Sequence, residues 1–91
     1  MRVLFFGTPD FAVPVLRALA GSAHEVALVV TGPDRPRGRG LARLEATPVA
    51  REAERRGLPV RKPPKPSDPG FLAEARALAP DAIALAAYGH L

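Results

Sequence analysis

The chain has no cysteine, so it holds no disulfide, thiolate metal site or cysteine nucleophile. Asparagine and glutamine are also absent, and arginine outnumbers lysine eleven to two, a bias compatible with a thermophilic source or a GC-rich genome that says nothing of function. Histidine occurs only as His24 and His90, which alone cannot build a zinc site. No apolar run approaches the ~20 residues a membrane helix needs. Met1-Arg2 leads into a short apolar run, soon broken by Gly7-Thr8-Pro9-Asp10, that cannot serve as a signal peptide. Dinucleotide and nucleotide motifs are missing as well. After the first apolar run stands Gly7-Thr8-Pro9-Asp10-Phe11-Ala12, not G-x-G-x-x-G, and Pro9 removes a backbone donor where a pyrophosphate would want one. Neither a phosphate-binding G-x-x-x-x-G-K-[ST] loop nor a G-x-S-x-G nucleophile elbow occurs.

What is present is the composition of a soluble globular protein, with 47% apolar and 24% charged residues. At 91 residues it is one domain at most, and a domain of that size buries only about 60–65% of the surface of its unfolded chain. The net charge of +4 is unevenly placed. Arg35, Arg37, Arg39 and Arg43 face only Asp34 within residues 31–44, whereas Arg76 is outnumbered by Asp68, Glu74 and Asp81 toward the carboxyl end. A local positive patch of this kind holds polyanions or is a solvated surface, and composition alone favours the second.

Punctuation along the chain divides it into alternating elements. Arg2 to Phe6 reads as a buried strand ended by Gly7. A helix follows from near Val13, with Val13, Leu16, Leu19 and Ala20 on one face, because Pro14 forbids an earlier start. Gly7 to Ala12 is then an extended turn. Glu25 to Val30 is a second strand, and the stretch TGPDRPRGRG after it is expected to be a long irregular loop. Thr47 caps a helix that begins at Pro48 and ends at Gly57, and Leu58-Pro59-Val60 allows a short third strand. Ser67 or Asp68 caps a third helix with Phe71, Leu72, Ala75, Leu78 and Ala79 on one face, stopped by Pro80. Asp81 to Ala87 is a fourth strand.

Strands alternating with helices predict an α/β fold, a Rossmann-like three-layer arrangement with a parallel sheet and strand order 3-2-1-4. That order makes the gap between strands one and four the switch point at which ligands bind. The turns Gly7-Thr8-Pro9-Asp10 and Tyr88-Gly89-His90 meet there. Phe5, Phe6, Phe11 and Phe71 are read as core, His24 as exposed, and Asp10 as a cap for the turn that follows it.

The sequence FFGTPDFAVPVLRAL, the loop TGPDRPRGRG, Thr47-Pro48-Val49, Gly57-Leu58-Pro59-Val60 and the ending Ala86-Ala87-Tyr88-Gly89 resemble the amino-terminal part of the methionyl-tRNA formyltransferases in order and spacing. The resemblance covers nearly the whole chain, and the pairing of G-T-P-D-F-A with P-D-R-P-x-G-R-G carries most of its specificity. It implies that residues 1–91 are part of a Rossmann-like formyltransferase domain, with the catalytic Asn, His and Asp and a second domain lying beyond Tyr88-Gly89. The implied activity is transfer of a formyl group from formyl-tetrahydrofolate, a co-substrate, to the amino group of methionyl initiator tRNA, in the cytoplasm and without a metal.

By that resemblance Tyr88, Gly89, His90 and Leu91 line the folate pocket, Gly7, Thr8, Pro9 and Asp10 flank the place where the aminoacyl end arrives, and Arg35, Arg37, Arg39 and Arg43 hold the tRNA. Arg39 matches the family's most important loop arginine. His90 stands where the family usually has an apolar or amide residue, and Arg37 where it usually has a small one. Two other readings stand beside this one: another folate-dependent formyltransferase of the same fold, and a stand-alone RNA-binding module. A strand four that normally has partners predicts self-association of the isolated chain through an exposed sheet edge.

Overall fold

The computed structural model describes residues 1–37, 43–65 and 67–86; at positions 35–37 and 43 only the backbone is described. A parallel sheet forms from β1 (Arg2–Phe6), β2 (Glu25–Val30), β5 (Val60–Arg61) and β6 (Ala82–Leu85), in the order β5-β2-β1-β6. Counted within this sheet, the order is third, second, first, fourth. The intervening numbers belong to β3 (Arg35–Arg37) and β4 (Arg43–Glu45), an antiparallel pair in the segment expected to be irregular. Its glycines and prolines hid the pairing, because a two-stranded ribbon tolerates proline where a central strand does not.

Helices α1 (Val13–Ala20) and α2 (Pro48–Arg55) cover one face and α3 (Pro69–Ala77) the other, giving three layers. On the first face Phe5, Leu16, Val26, Val29, Val49 and Ala53 make a dry cluster, and on the second Leu4, Leu28 and Val30 lie under Phe71. Val26 and Val29 share a face because the register slips between Val3 and Leu4, leaving Ala27 as a bulged residue. Phe6 meets Phe71 edge to face, ring centroids 6.1 Å apart.

Local chemistry explains each boundary. A 3-10 turn over Asp10–Ala12 leads into α1, so Pro14 falls in the first turn, where its missing N–H has no partner to lose. Thr47 Oγ1 accepts from the Ala50 N–H at 3.1 Å, and Asp68 Oδ2 accepts from the Phe71 N–H at 2.9 Å. Gly57, at φ +72°, ends α2 with its own N–H on Glu54 C=O and the Leu58 N–H on Ala53 C=O, the paired bonds of a left-handed helix stop. Pro59 cannot donate to a ladder, which leaves β5 two residues long at the sheet edge.

Three expectations fail. Phe11 is 72% exposed, because the 3-10 turn carries it away from the sheet while Ala12 enters the core. Asp10 does not cap the turn that follows it: the cap position is Pro9, and no side chain caps that turn among the described residues. Leu72 and Ala79 leave the predicted buried face: Leu72 is exposed, and Ala79 lies beyond the helix at φ 49°. Strand β6 pairs only with β1 among the described residues, and its Ile83 and Leu85, which follow Leu4 and Phe6 on the α3 face of the sheet, are exposed there.

The polar feature sequence reading did not find is Glu52 on α2, nearly buried and ringed by guanidinium groups. Arg55 Nη2 and Arg56 Nε each reach Oε2 at 2.7 Å, and Arg17 Nη2 of α1 reaches Oε1 at 3.3 Å. Hydrogen bonds from Arg55, then Arg17 and Arg56, hold its carboxyl down to about 2, against the opposing effect of burial. Since the folded value lies below the usual 4.5, this carboxylate adds stability that is complete above the unfolded value and lost as pH falls from about 4.5 through about 2. Glu52→Gln is expected to lower the urea midpoint at pH 7, with the gap to the parent closing as pH falls toward 2. A gap that stays constant across that window would assign the loss to packing.

Candidate functional site

At the carboxyl ends of the strands the chain leaves β1 toward β2 on one side and receives β6 on the other. This is the switch point. The Gly7 N–H donates to Val30 C=O at 3.0 Å, and the Ala86 N–H donates to Phe6 C=O at 3.0 Å, so the turn after β1 and the exit of β6 lie side by side. Gly7 is required by close approach: a Cβ there would sit 2.8 Å from the Phe5 ring and 3.0 Å from the Ala12 Cβ.

Thr8 is 6% exposed, and its hydroxyl accepts from the Gly32 N–H at 3.2 Å. Its side chain therefore faces the next loop. Pro9 is half-buried and extended, at φ −80° and ψ 173°, while Asp10 is exposed. After them the ring of Phe11, in the 3-10 turn, is exposed. The only sequence signal for that exposure is its place between the strand and the helix, in a turn too short to return a large side chain to the core.

Two of the expected groups of site residues meet at this crevice or grow from its edge. Gly7 to Asp10 form the β1 turn, and the described residues 32–37 and 43–46 belong to a basic arm after β2 that includes β3 and β4. The ladder sets Arg37 opposite Arg43 and Arg35 opposite Glu45, bringing three arginine positions within three rungs. Arg39 lies outside the described residues, as do Tyr88, Gly89, His90 and Leu91.

The arm is rooted by buried hydroxyls. Thr31 is fully buried and its Oγ1 lies 2.6 Å from Thr47 Oγ1, while the Thr31 N–H donates to Arg61 C=O at 3.1 Å. Lys62 reaches Asp34 of the arm at 2.6 Å. A cleft of about 240 Å³ opens nearby, between Arg61, Lys62, Phe71 and Glu74. Its cations are already matched, Arg61 by Glu74 at 2.7 Å and Lys62 by Asp34, so an anion would have to displace carboxylates there. The switch point, where backbone turns converge, is the better site.

An open parallel sheet covered by helices on both faces, with its crevice where the strand order reverses, makes this a Rossmann-like α/β protein. The chain belongs to the formyl transferase family, whose model matches residues 1–91. It is 56% identical over 91 residues to a methionyl-tRNA formyltransferase of Nocardioides sp. and 55% identical over 92 aligned positions to one of Streptomyces coelicolor. Each alignment covers the whole chain but only 28% and 29% of the relative, so the chain spans less than a third of their length. A crystal structure of phosphoribosylglycinamide formyltransferase from Bacillus halodurans superposes with a TM-score of 0.58 at 20% identity, over 97% of this chain and 45% of that one. At that identity the likeness is one of fold. No helix among the described residues is long and apolar enough to cross a membrane.

Proposed function

We propose that this chain supplies the crevice floor and the RNA-reading arm of an enzyme that formylates methionyl initiator tRNA in the cytoplasm, with formyl-tetrahydrofolate as donor. The observation that carries the reading is the basic arm that leaves β2 bonded to the switch-point turn, in a chain more than half identical, end to end, to relatives named for that activity. Within it, Arg35, Arg37, Arg39 and Arg43 meet the acceptor end of the tRNA. Arginine suits this task, because its planar fork grips phosphates and base edges. Gly7, Thr8, Pro9 and Asp10 flank the arriving aminoacyl end, and Tyr88, Gly89, His90 and Leu91 form the folate wall.

In the reaction the methionine nitrogen attacks the formyl carbon, the bond from that carbon to the folate nitrogen breaks, and the amine proton passes to the folate. The tetrahedral oxyanion between these events needs aimed donors and a proton relay. By family resemblance an Asn, a His and an Asp beyond residue 91 supply them. The test is formyl transfer by the complete protein to methionyl initiator tRNA, compared with an amino-sugar nucleotide and a purine-precursor amine. Incorporation into the tRNA alone is expected, with no turnover by residues 1–91 in isolation. Turnover of either small amine in preference to the tRNA would overturn the reading.

In isolation the same 91 residues should self-associate, since among the described residues β6 leaves a sheet edge and the Ile83 and Leu85 side chains open. Sedimentation that returned a folded monomer at high concentration would refute this.

A further inference from the structure

Buried hydroxyls at Thr8, Thr31 and Thr47 converge on the two ends of the basic arm. Thr31 is fully buried, Thr47 is 3% exposed and Thr8 is 6% exposed. Each bond joins segments distant in sequence: Thr31 to Thr47 across the arm's base at 2.6 Å, and Gly32 to Thr8 of the crevice turn at 3.2 Å. Capping of α2 does not explain the first of these, because Thr47 Oγ1 already accepts the Ala50 N–H without help from Thr31. Packing does not explain it either. Thr31 continues a run of buried valines, where valine would fill the same space without a hydroxyl to satisfy.

What the hydroxyls add is direction. A hydrogen bond constrains angle as well as distance, whereas apolar packing at the same place lets a ribbon swing. Lys62 adds a strap to Asp34 at 2.6 Å from the segment after β5. The arm thus leaves the sheet tied to the β1 turn, to the start of α2 and to the end of β5.

We infer that Thr31 and Thr8 are positioning residues that fix the angle between the basic arm and the crevice turn, so that RNA held on the arm delivers its aminoacyl end to the reacting atoms. The inference rests on the proposed reading of the arm as an RNA contact. A displacement of about 1 Å between a binding element and a reacting centre lowers rate by up to a hundredfold. Such a joint therefore acts on turnover of the macromolecular substrate and leaves the small one alone.

The experiment uses the complete protein and separates kcat and KM for methionyl-tRNA from KM for formyl-tetrahydrofolate. Thr31→Val keeps the shape and removes the hydroxyl. It is expected to lower kcat/KM for methionyl-tRNA by roughly ten- to a hundredfold, with KM for the folate unchanged. Thr31→Ser, which restores the hydroxyl, should recover most of the loss. If Thr31→Val does not fold, Lys62→Met, which removes the strap to Asp34, is expected to give the same split. Unchanged tRNA kinetics in a folded variant, a KM for the folate that rises as well, or failure of the serine variant to recover would overturn the inference. The Arg37→Ala/Arg39→Ala double variant separates the two levels. Normal tRNA kinetics there would remove the arm from RNA binding and both readings with it, whereas a loss there with none in Thr31→Val would defeat the positioning role alone.

Discussion

Arg39→Ala in the complete enzyme should lower kcat/KM for methionyl-tRNA by about 5- to 150-fold, the equivalent of roughly 1–3 kcal/mol, if the guanidinium reads a base edge. Folate binding and thermal stability should barely move. A phosphate contact would give another signature: the slope of log affinity against log salt would fall by about one unit, and discrimination between initiator and elongator tRNA would not change. Arg37 adds a second cation on the arm, so the double variant should lose more than either single one if both touch RNA. Arg37 also sits across the ladder from Arg43. Like charges opposed across a ladder weaken pairing, and a polyanion bound there would relieve that repulsion. Kinetics with methionyl-tRNA left intact by the double substitution would reduce the basic arm to solvated surface.

Phe5→Ala is expected to cost about 3–5 kcal/mol, enough to remove much of the stability of so small a domain. Phe5 is completely buried in β1, and its ring lies against the backbone of Gly7 on one side and the α1–α2 cluster on the other. Gly7 has no side chain and Ala12 only a methyl group, so on that side of the ring nothing can move in to fill the space. Equilibrium urea unfolding of the chain measures the loss. A decrease below about 1 kcal/mol would mean that the site collapses around the alanine, and would contradict the packing described above. The variant should also disturb the crevice turn, since the ring packs directly against Gly7.

Legibility followed the range of the interaction. The starts of α2 and α3 were readable from Thr47-Pro48 and Asp68-Pro69, and the end of α2 from Gly57, because caps and stops depend on chemistry within a few residues. The parallel sheet followed from alternation of elements. The switch-point crevice followed from the sheet, and the family from the motif pair Gly7 to Ala12 and Pro33 to Gly40.

Beyond the order of the parallel sheet, pairing and burial between distant segments were not readable. The β3–β4 ladder joins residues eight or so apart through a stretch whose glycines and prolines argue locally against a strand. The slip at Ala27 exists because β2 must match β1, and nothing in Glu25 to Val30 announces it. Phe11 has the composition of a core residue and is exposed because the turn after β1 has no room to bring it back. Glu52 carries the signature of a surface helix residue, yet lies buried because Arg17 of another helix completes its ring of partners. The Thr31–Thr47 bond closes the base of an arm whose ends are sixteen residues apart. Local sequence determines where a backbone can turn, cap or extend, while the choice of partner for a side chain depends on which distant segments the fold brings within hydrogen-bonding distance.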